Sequence, residues 1–275
     1  MLLGRRMQKS ARPAATRPSP SRPVQAPRPK TNSTVYAIGD IHGRLDLFEA
    51  LLARIRQDVA QAAEPEPPTL ILLGDLIDRG PDSKGCVDRA IALEGEGWCV
   101  AHALKGNHEE AILLFLEDHD VGPNWSQYGG DTTLKSYGVE ISSAAYGRGW
   151  AGVRDSFLPN FPASHLDFMQ RMKLWLEVDD YLFVHAGVRP GAPIEKQTAT
   201  DLMWIRQDFL AVENPYPGKV VVHGHTPTRE AQLRRWRIGI DTGAYATGLL
   251  TAIKLKGYER TLIQVSEASA SQPAL

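Results

Sequence analysis

The chain has 275 residues, 23% of them charged, and a net charge of −1. That length buries one large core or two small ones, and the composition is that of a water-soluble globular protein. No apolar run approaches the roughly 18 residues of a membrane span, and two cysteines, Cys86 and Cys99, are too few for a disulfide framework.

Residues 1–32 carry Arg5, Arg6, Lys9, Arg12, Arg17, Arg22, Arg28 and Lys30 and no acidic residue. This basic, Pro-rich segment has too little apolar surface to offset ordering entropy and is expected to be a disordered tail. Its prolines oppose a transit-peptide helix, and Met1 to Arg6 lack a secretory apolar stretch, so a cytoplasmic location is expected. The body, residues 33–268, is acidic, which argues against nucleic-acid binding. Residues 269–275 are expected to be a flexible terminus.

Along the body, short apolar runs alternate with helical spacing. Strands are expected at 35–38, 70–73 and 98–104, and helices at 45–59, 84–93 and 109–116. This βαβαβα order predicts parallel strands with right-handed crossovers. Residues 119–178 are rich in glycine and aromatics and predict a mostly helical insertion, with a helix at 164–176 capped by Ser164. Strands are then expected at 181–184, 219–222, 238–240, 249–254 and 261–265.

Glycine-flanked loops follow the first three strands: Gly39-Asp40-Ile41-His42-Gly43, Gly74-Asp75-Leu76-Ile77-Asp78-Arg79-Gly80 and Gly106-Asn107-His108-Glu109. They fall at the carboxyl ends of parallel strands, where open α/β sheets hold ligands. Asp40 and His42 are two apart in extended chain and point the same way. Asp75 suits a bridging carboxylate, and Asn107 offers a neutral oxygen. His185 and the pair His223/His225 follow later strands, and spacing does not separate the two members of the pair. Mixed nitrogen and oxygen donors suit Mn²⁺, Fe or Zn²⁺. A single Asp after a strand is more often a cap or turn former, so the joint occurrence carries the argument. His102, His119 and His165 are given no chemistry, and the cysteines are read as buried apolar side chains.

The three loops, in this order, resemble the signature of phosphoprotein phosphatases within the calcineurin-like metallophosphoesterases. His185-Ala186-Gly187 and Gly224-His225-Thr226-Pro227 resemble the later histidine motifs. The match spans roughly residues 34–255. Leu202 to Arg206 and Asp241 to Ala244 are similar to segments of the compact bacterial branch, including phage lambda-type serine/threonine phosphatases. The resemblance implies an α/β fold: a central β-sandwich flanked by helices, α/β/β/α. It implies two divalent metal ions, with manganese the first choice. Asp40 and His42 would hold one, Asp75 would bridge, and Asn107, His185 and His225 would hold the other. His223 becomes a neighbour. His108 matches the proton donor, Asp78 its orienting carboxylate, and Arg79 and Arg206 the phosphate-holding arginines. The eukaryotic S-A-P-N-Y-C-G segment is absent; Tyr245, in its place, stands either at the phosphate or packed on the sheet.

The implied activity is metal-dependent hydrolysis of phosphoserine and phosphothreonine in proteins by attack of a metal-bridging hydroxide. It extends to phosphotyrosine and small phosphomonoesters. A symmetrical dinucleoside tetraphosphate hydrolase is the alternative, with Trp125, Tyr128 and Trp150 as base-stacking or core residues. An inactive phosphoprotein-binding module is disfavoured because every expected ligand and His108 are present. Phosphoproteins are the expected partners, and the chain is expected to be a monomer with no membrane insertion.

Overall fold

The computed structural model describes residues 28–141 and 147–270. The reading of residues 1–32 as a tail, and of 269–275 as a flexible terminus, falls mostly outside these. Where the two overlap, the tail boundary is corrected. Strand β1 runs Thr31–Ile38, and Thr31 pairs with Gly257. The Lys30 and Asn32 amides donate to Asp180 and Asp179. Composition could not show a partner strand more than two hundred residues away.

Two five-stranded sheets form the centre. In the first, β1 lies parallel to β2 (Thr69–Leu72), which lies parallel to β3 (Val100–Ala103). Helices α1 (Leu45–Ala62), α2 (Ser83–Leu93) and α3 (Asn107–Glu117) follow these strands. Helices α4 (Gly122–Trp125), α5 (Asp131–Ser136), α6 (Gly149–Phe157) and α7 (Ala163–Arg171) come next.

The second sheet begins with β4 (Trp175–Val178) and β5 (Tyr181–Val184), an antiparallel hairpin turning on Asp179-Asp180. The short helices α8 (Ala199–Trp204) and α9 (Gln207–Leu210) lead to β6 (Val220–His223), β7 (Gln232–Leu233) and β8 (Arg237–Gly239). The chain then returns through α10 (Ala244–Thr247) to antiparallel β9 (Leu249–Gly257) and β10 (Glu259–Ser266) on the first sheet.

Side-chain alternation builds the sandwich. Val35 and Ala37 of β1 face inward with Tyr181 and Phe183 of β5 and Val220 and Val222 of β6. Tyr36 and Ile38 face outward onto α1 and α2, where Leu47, Phe48, Leu51 and Val87 meet them. Leu182, Val184 and Val221 form a third cluster with Leu202 and Phe209. Both faces of each central strand are therefore apolar, which is why the strands read as continuous runs.

The expected helix over 164–176 is also corrected. Helix α7 ends at Arg171, and Trp175–Val178 is strand, so the helical part of the insertion stops earlier than 178. A short apolar run such as Met172 to Leu176 fits either period, and the Asp-Asp turn decided it by folding the segment back on β5. Ser164 does not cap α7; Pro162 holds that position with no side-chain cap.

Candidate active site

The backbone links the three loops before any side chain does. The Ile41 and His42 amides donate to the Asp75 carbonyl, and Gly43 N–H donates to Leu76 O. Glu109, fully buried, accepts from the Asp75, Leu76 and Gly106 amides at 2.8–2.9 Å. One carboxylate thus ties the second loop to the third. Gly106 is required here, because a Cβ would collide with the Asp75 carboxylate. His42, Asp75, Asp78, Arg79 and His225 all have φ between 46° and 72°. Such conformations are costly for non-glycine residues and cluster at functional sites.

The side chains converge as acceptors. His185 Nδ1 lies 2.8 Å from Leu73 O and so donates to it, leaving Nε2 as a lone pair. That lone pair faces Asn107 Oδ1 at 3.1 Å, His225 Nδ1 at 3.2 Å and Asp75 Oδ2 at 3.4 Å. His42 is arranged likewise: Nδ1 donates to Ile77 O, and Nε2 lies 3.6 Å from Asp75 Oδ2. Acceptors brought this close need positive charge between them. The carboxylates favour a proton at His185, whereas burial lowers the pKa of His42 and of His225. Burial would lower the His185 pKa, but Asp75 and Asp40 raise it to about 10. This donor set, with Asp75 common to both groups, fits a divalent cation on either side of it. Asp40 sits at the edge, with both oxygens accepting from the His225 amide at 3.0–3.1 Å.

His108 is held for a different task. Its Nδ1 lies 2.6 Å from Asp78 Oδ2. Burial opposes protonation of His108, but Asp75 and Asp78 outweigh it and raise its pKa. Asp78 is itself fully buried and held by residues the sequence reading gave no part in the chemistry. Trp125 Nε1 donates to Oδ2 at 2.8 Å, and Thr133 donates to Oδ1. The Asp78 amide donates to Ser83 and Thr133. Trp125 reads from sequence as a packing residue, and it is also buried against Phe115. The available signal was the indole N–H, which a buried tryptophan must satisfy. Replacing Trp125 with phenylalanine keeps the ring and removes that donor. Turnover of a phosphoserine peptide is expected to fall about tenfold or more, the size of one hydrogen bond to a charged group. Turnover of p-nitrophenyl phosphate should fall much less, and equal losses would mean that only the packing matters.

Arg79 contacts His42 Nε2 at 2.9 Å and His108 Nε2 at 3.2 Å. Its guanidinium lies 4.6 Å over the Tyr245 ring, and that ring meets His42 edge-on. Tyr245 therefore packs on the arginine at the rim of the site. Arg206 starts α9 on the other side, near enough for its charge to oppose protonation of His225. Trp204, partly exposed, meets the His225 ring edge-on. His223 turns away: Nδ1 contacts Gly224 O, and the ring packs on Phe209. Asp241 is buried beside Asp40, and burial raises its pKa to about 6. Tyr128 is exposed and Trp150 packs on Phe115.

The model of the calcineurin-like phosphoesterase family matches residues 33–244, which include every loop just described. The chain belongs to that family. Among relatives of this calcineurin-like phosphoesterase is serine/threonine-protein phosphatase 1 of Salmonella typhimurium, 29% identical over 81% of this chain and 92% of the relative. Another is the asymmetrical bis(5'-nucleosyl)-tetraphosphatase PrpE of Oceanobacillus iheyensis, 26% identical over 79% of this chain and 86% of the relative. The crystal structure of a cold-active protein tyrosine phosphatase superposes with a TM-score of 0.56 at 15% identity, covering 87% of this chain and 80% of that one. That likeness shows the shared fold of two sheets and flanking helices. Calcineurin-like phosphoesterases use divalent metals, and the two histidine–aspartate groups around Asp75 are where this member can hold them.

Proposed function

We propose that this phosphoesterase is a protein phosphatase that hydrolyses phosphoserine and phosphothreonine esters, with activity on phosphotyrosine and small phosphomonoesters. The observation that supports this reading is the His108–Asp78 pair. A serine or threonine alkoxide is a poor leaving group and needs a proton as the P–O bond breaks. A nucleotide leaves as a phosphate, which needs far less help. An imidazole held by a buried carboxylate, itself held by Trp125 and Thr133, suits the harder task.

Asp40, His42 and Asp75 would hold one divalent cation, and Asp75, Asn107, His185 and His225 the other. When bound, such a pair supplies activated water and withdraws charge from the phosphoryl oxygens. Manganese suits these nitrogen and oxygen donors. Arg79 grips two phosphoryl oxygens through its planar fork, steadied by the Tyr245 ring beneath it. Arg206 and Asn107 contribute from the opposite side. His108 delivers its Nε2 proton to the leaving oxygen while Asp78 keeps the ring oriented. Neither cysteine takes part: both are buried, and burial raises both thiol pKa values. Two free, buried thiols also fit a protein acting in a reducing, cytoplasmic setting.

A second reading, dinucleoside tetraphosphate hydrolysis, draws on Trp204 and Tyr245, two partly exposed aromatics flanking the site that bases could stack on. Purified protein assayed on a phosphoserine peptide and on diadenosine tetraphosphate separates the two. The peptide is expected to turn over faster. Exclusive cleavage of the dinucleotide would replace the first reading with the second.

A further inference from the structure

A second polar cavity lies on the far side of β6, lined by His223, Thr226, Leu210, Gln232, Arg234 and Arg237, with a volume of about 210 Å³. Arg237 is buried, with only 6% of its surface exposed, and among the described residues it has no carboxylate partner. Its hydrogen bonds are two long ones, to Gln232 Oε1 at 3.4 Å and Leu210 O at 3.5 Å, and its guanidinium lies 5.8 Å from the centre of the Phe209 ring. Arg234 shares the Gln232 oxygen and adds a second positive charge. A buried guanidinium without a counter-ion is costly; Arg234, by contrast, is solvent-exposed and adds its charge from the water side.

Two of the lining residues each hold a buried, unpartnered polar atom. His223 Nε2 and Thr226 Oγ1 have no hydrogen-bond partner among the described residues. The His223 ring packs edge-on against Phe209, and Gly239 leaves room beside it where a Cβ would come within 3.1 Å of the ring. Nδ1 faces the Gly224 carbonyl at 3.0 Å, so it carries the hydrogen, and Nε2 presents a lone pair. The cavity therefore offers guanidinium donors, one fixed acceptor and one hydroxyl. An anion without a hydrogen satisfies the arginines but repels the His223 lone pair.

We propose that this cavity is a binding site for a small tetrahedral oxyanion that carries one proton, with free hydrogen phosphate as its ligand. Arg237 and Arg234 bind the charged oxygens, His223 Nε2 accepts from the P–OH group, and Thr226 Oγ1 completes the set. The site is separate from the cluster around Asp75 and does not depend on which phosphoester is hydrolysed there. It would nonetheless bear on that cluster, because His223 and Thr226 bracket the Gly224-His225 step.

Calorimetric titration of the metal-loaded, full-length protein with inorganic phosphate at neutral pH tests this. Two classes of phosphate site are expected in the wild type. Arg237→Gln and Thr226→Val should each lose one class, and Arg237→Gln should keep p-nitrophenyl phosphate turnover unchanged. Sulfate, which has no hydrogen to give at neutral pH, should bind the second class about tenfold more weakly, the value of one hydrogen bond. A single class in the wild type, a second class retained by both variants, or sulfate binding as tight as phosphate would each overturn the proposal. Should Arg237→Gln fail to fold, Thr226→Val and the sulfate comparison still decide it. A protein with no phosphoserine phosphatase activity would sink the reading of the active site and leave this titration fully informative.

Discussion

Exchanging His108 for asparagine is expected to lower turnover of a phosphoserine peptide by about 10²–10⁴-fold, the usual contribution of a positioned general acid. The same exchange should cost much less with p-nitrophenyl phosphate, because nitrophenolate leaves without a proton. The geometry motivates this split. His108 Nδ1 is committed to Asp78 at 2.6 Å, which leaves Nε2, beside the Arg79 guanidinium, as the nitrogen that would deliver a proton. Asparagine retains hydrogen-bonding capacity at the start of α3 but cannot protonate an alkoxide. Steady-state rates on both substrates measure the effect. Equal losses on both would show that His108 holds the site together rather than acting as the acid.

Exchanging Asp75 for asparagine should remove turnover on every substrate, by on the order of 10³-fold or more. Cation stabilisation of a phosphoryl transition state is worth several kcal/mol, and each 1.4 kcal/mol is about tenfold. Asp75 Oδ2 lies within 3.8 Å of a ring nitrogen of each of His42, His108 and His185. Of the three His/Asp groups among the described residues that could hold a metal, the two buried ones, His42–Asp75–His108 and Asp75–His185–His225, share Asp75. The metal content of the purified variant, read by mass spectrometry, should fall with the rate. Added manganese should raise the melting temperature of the wild type and not of the variant, since a ligand stabilises only the state that binds it. Full metal content with unchanged rates would remove Asp75 from the bridging role.

How much of this was legible in the chain follows from how local each cause is. Strand-end loops are local. Glycines on both sides of Asp40 and Asp75, after four-residue apolar runs, announce a tight loop at a sheet edge without help from the rest of the molecule. The central strands were equally plain, because side chains buried on both faces leave no polar residue to break the run. The tail boundary and strand β4 were not legible. Thr31 is ordered by Gly257, and Trp175 by Val184, and neither partner is visible from local composition.

The functional residues divide in the same way. Residue types and spacing were enough to name Asp40, His42, Asp75 and Asn107 as candidates, and the family resemblance added His108, because carboxylates, imidazoles and amides carry their chemistry wherever they are placed. Direction was not available. Only the folded chain shows that His225 turns towards His185 while His223 turns to a separate cavity, or that Glu109 binds three amides of two loops. Only packing brings Trp125 and Thr133, about fifty residues further on, against Asp78. A sequence determines which groups can donate, accept or hold a charge. Which of them meet depends on close-packing of distant segments, because burial removes water and leaves each polar atom only the partners packed beside it.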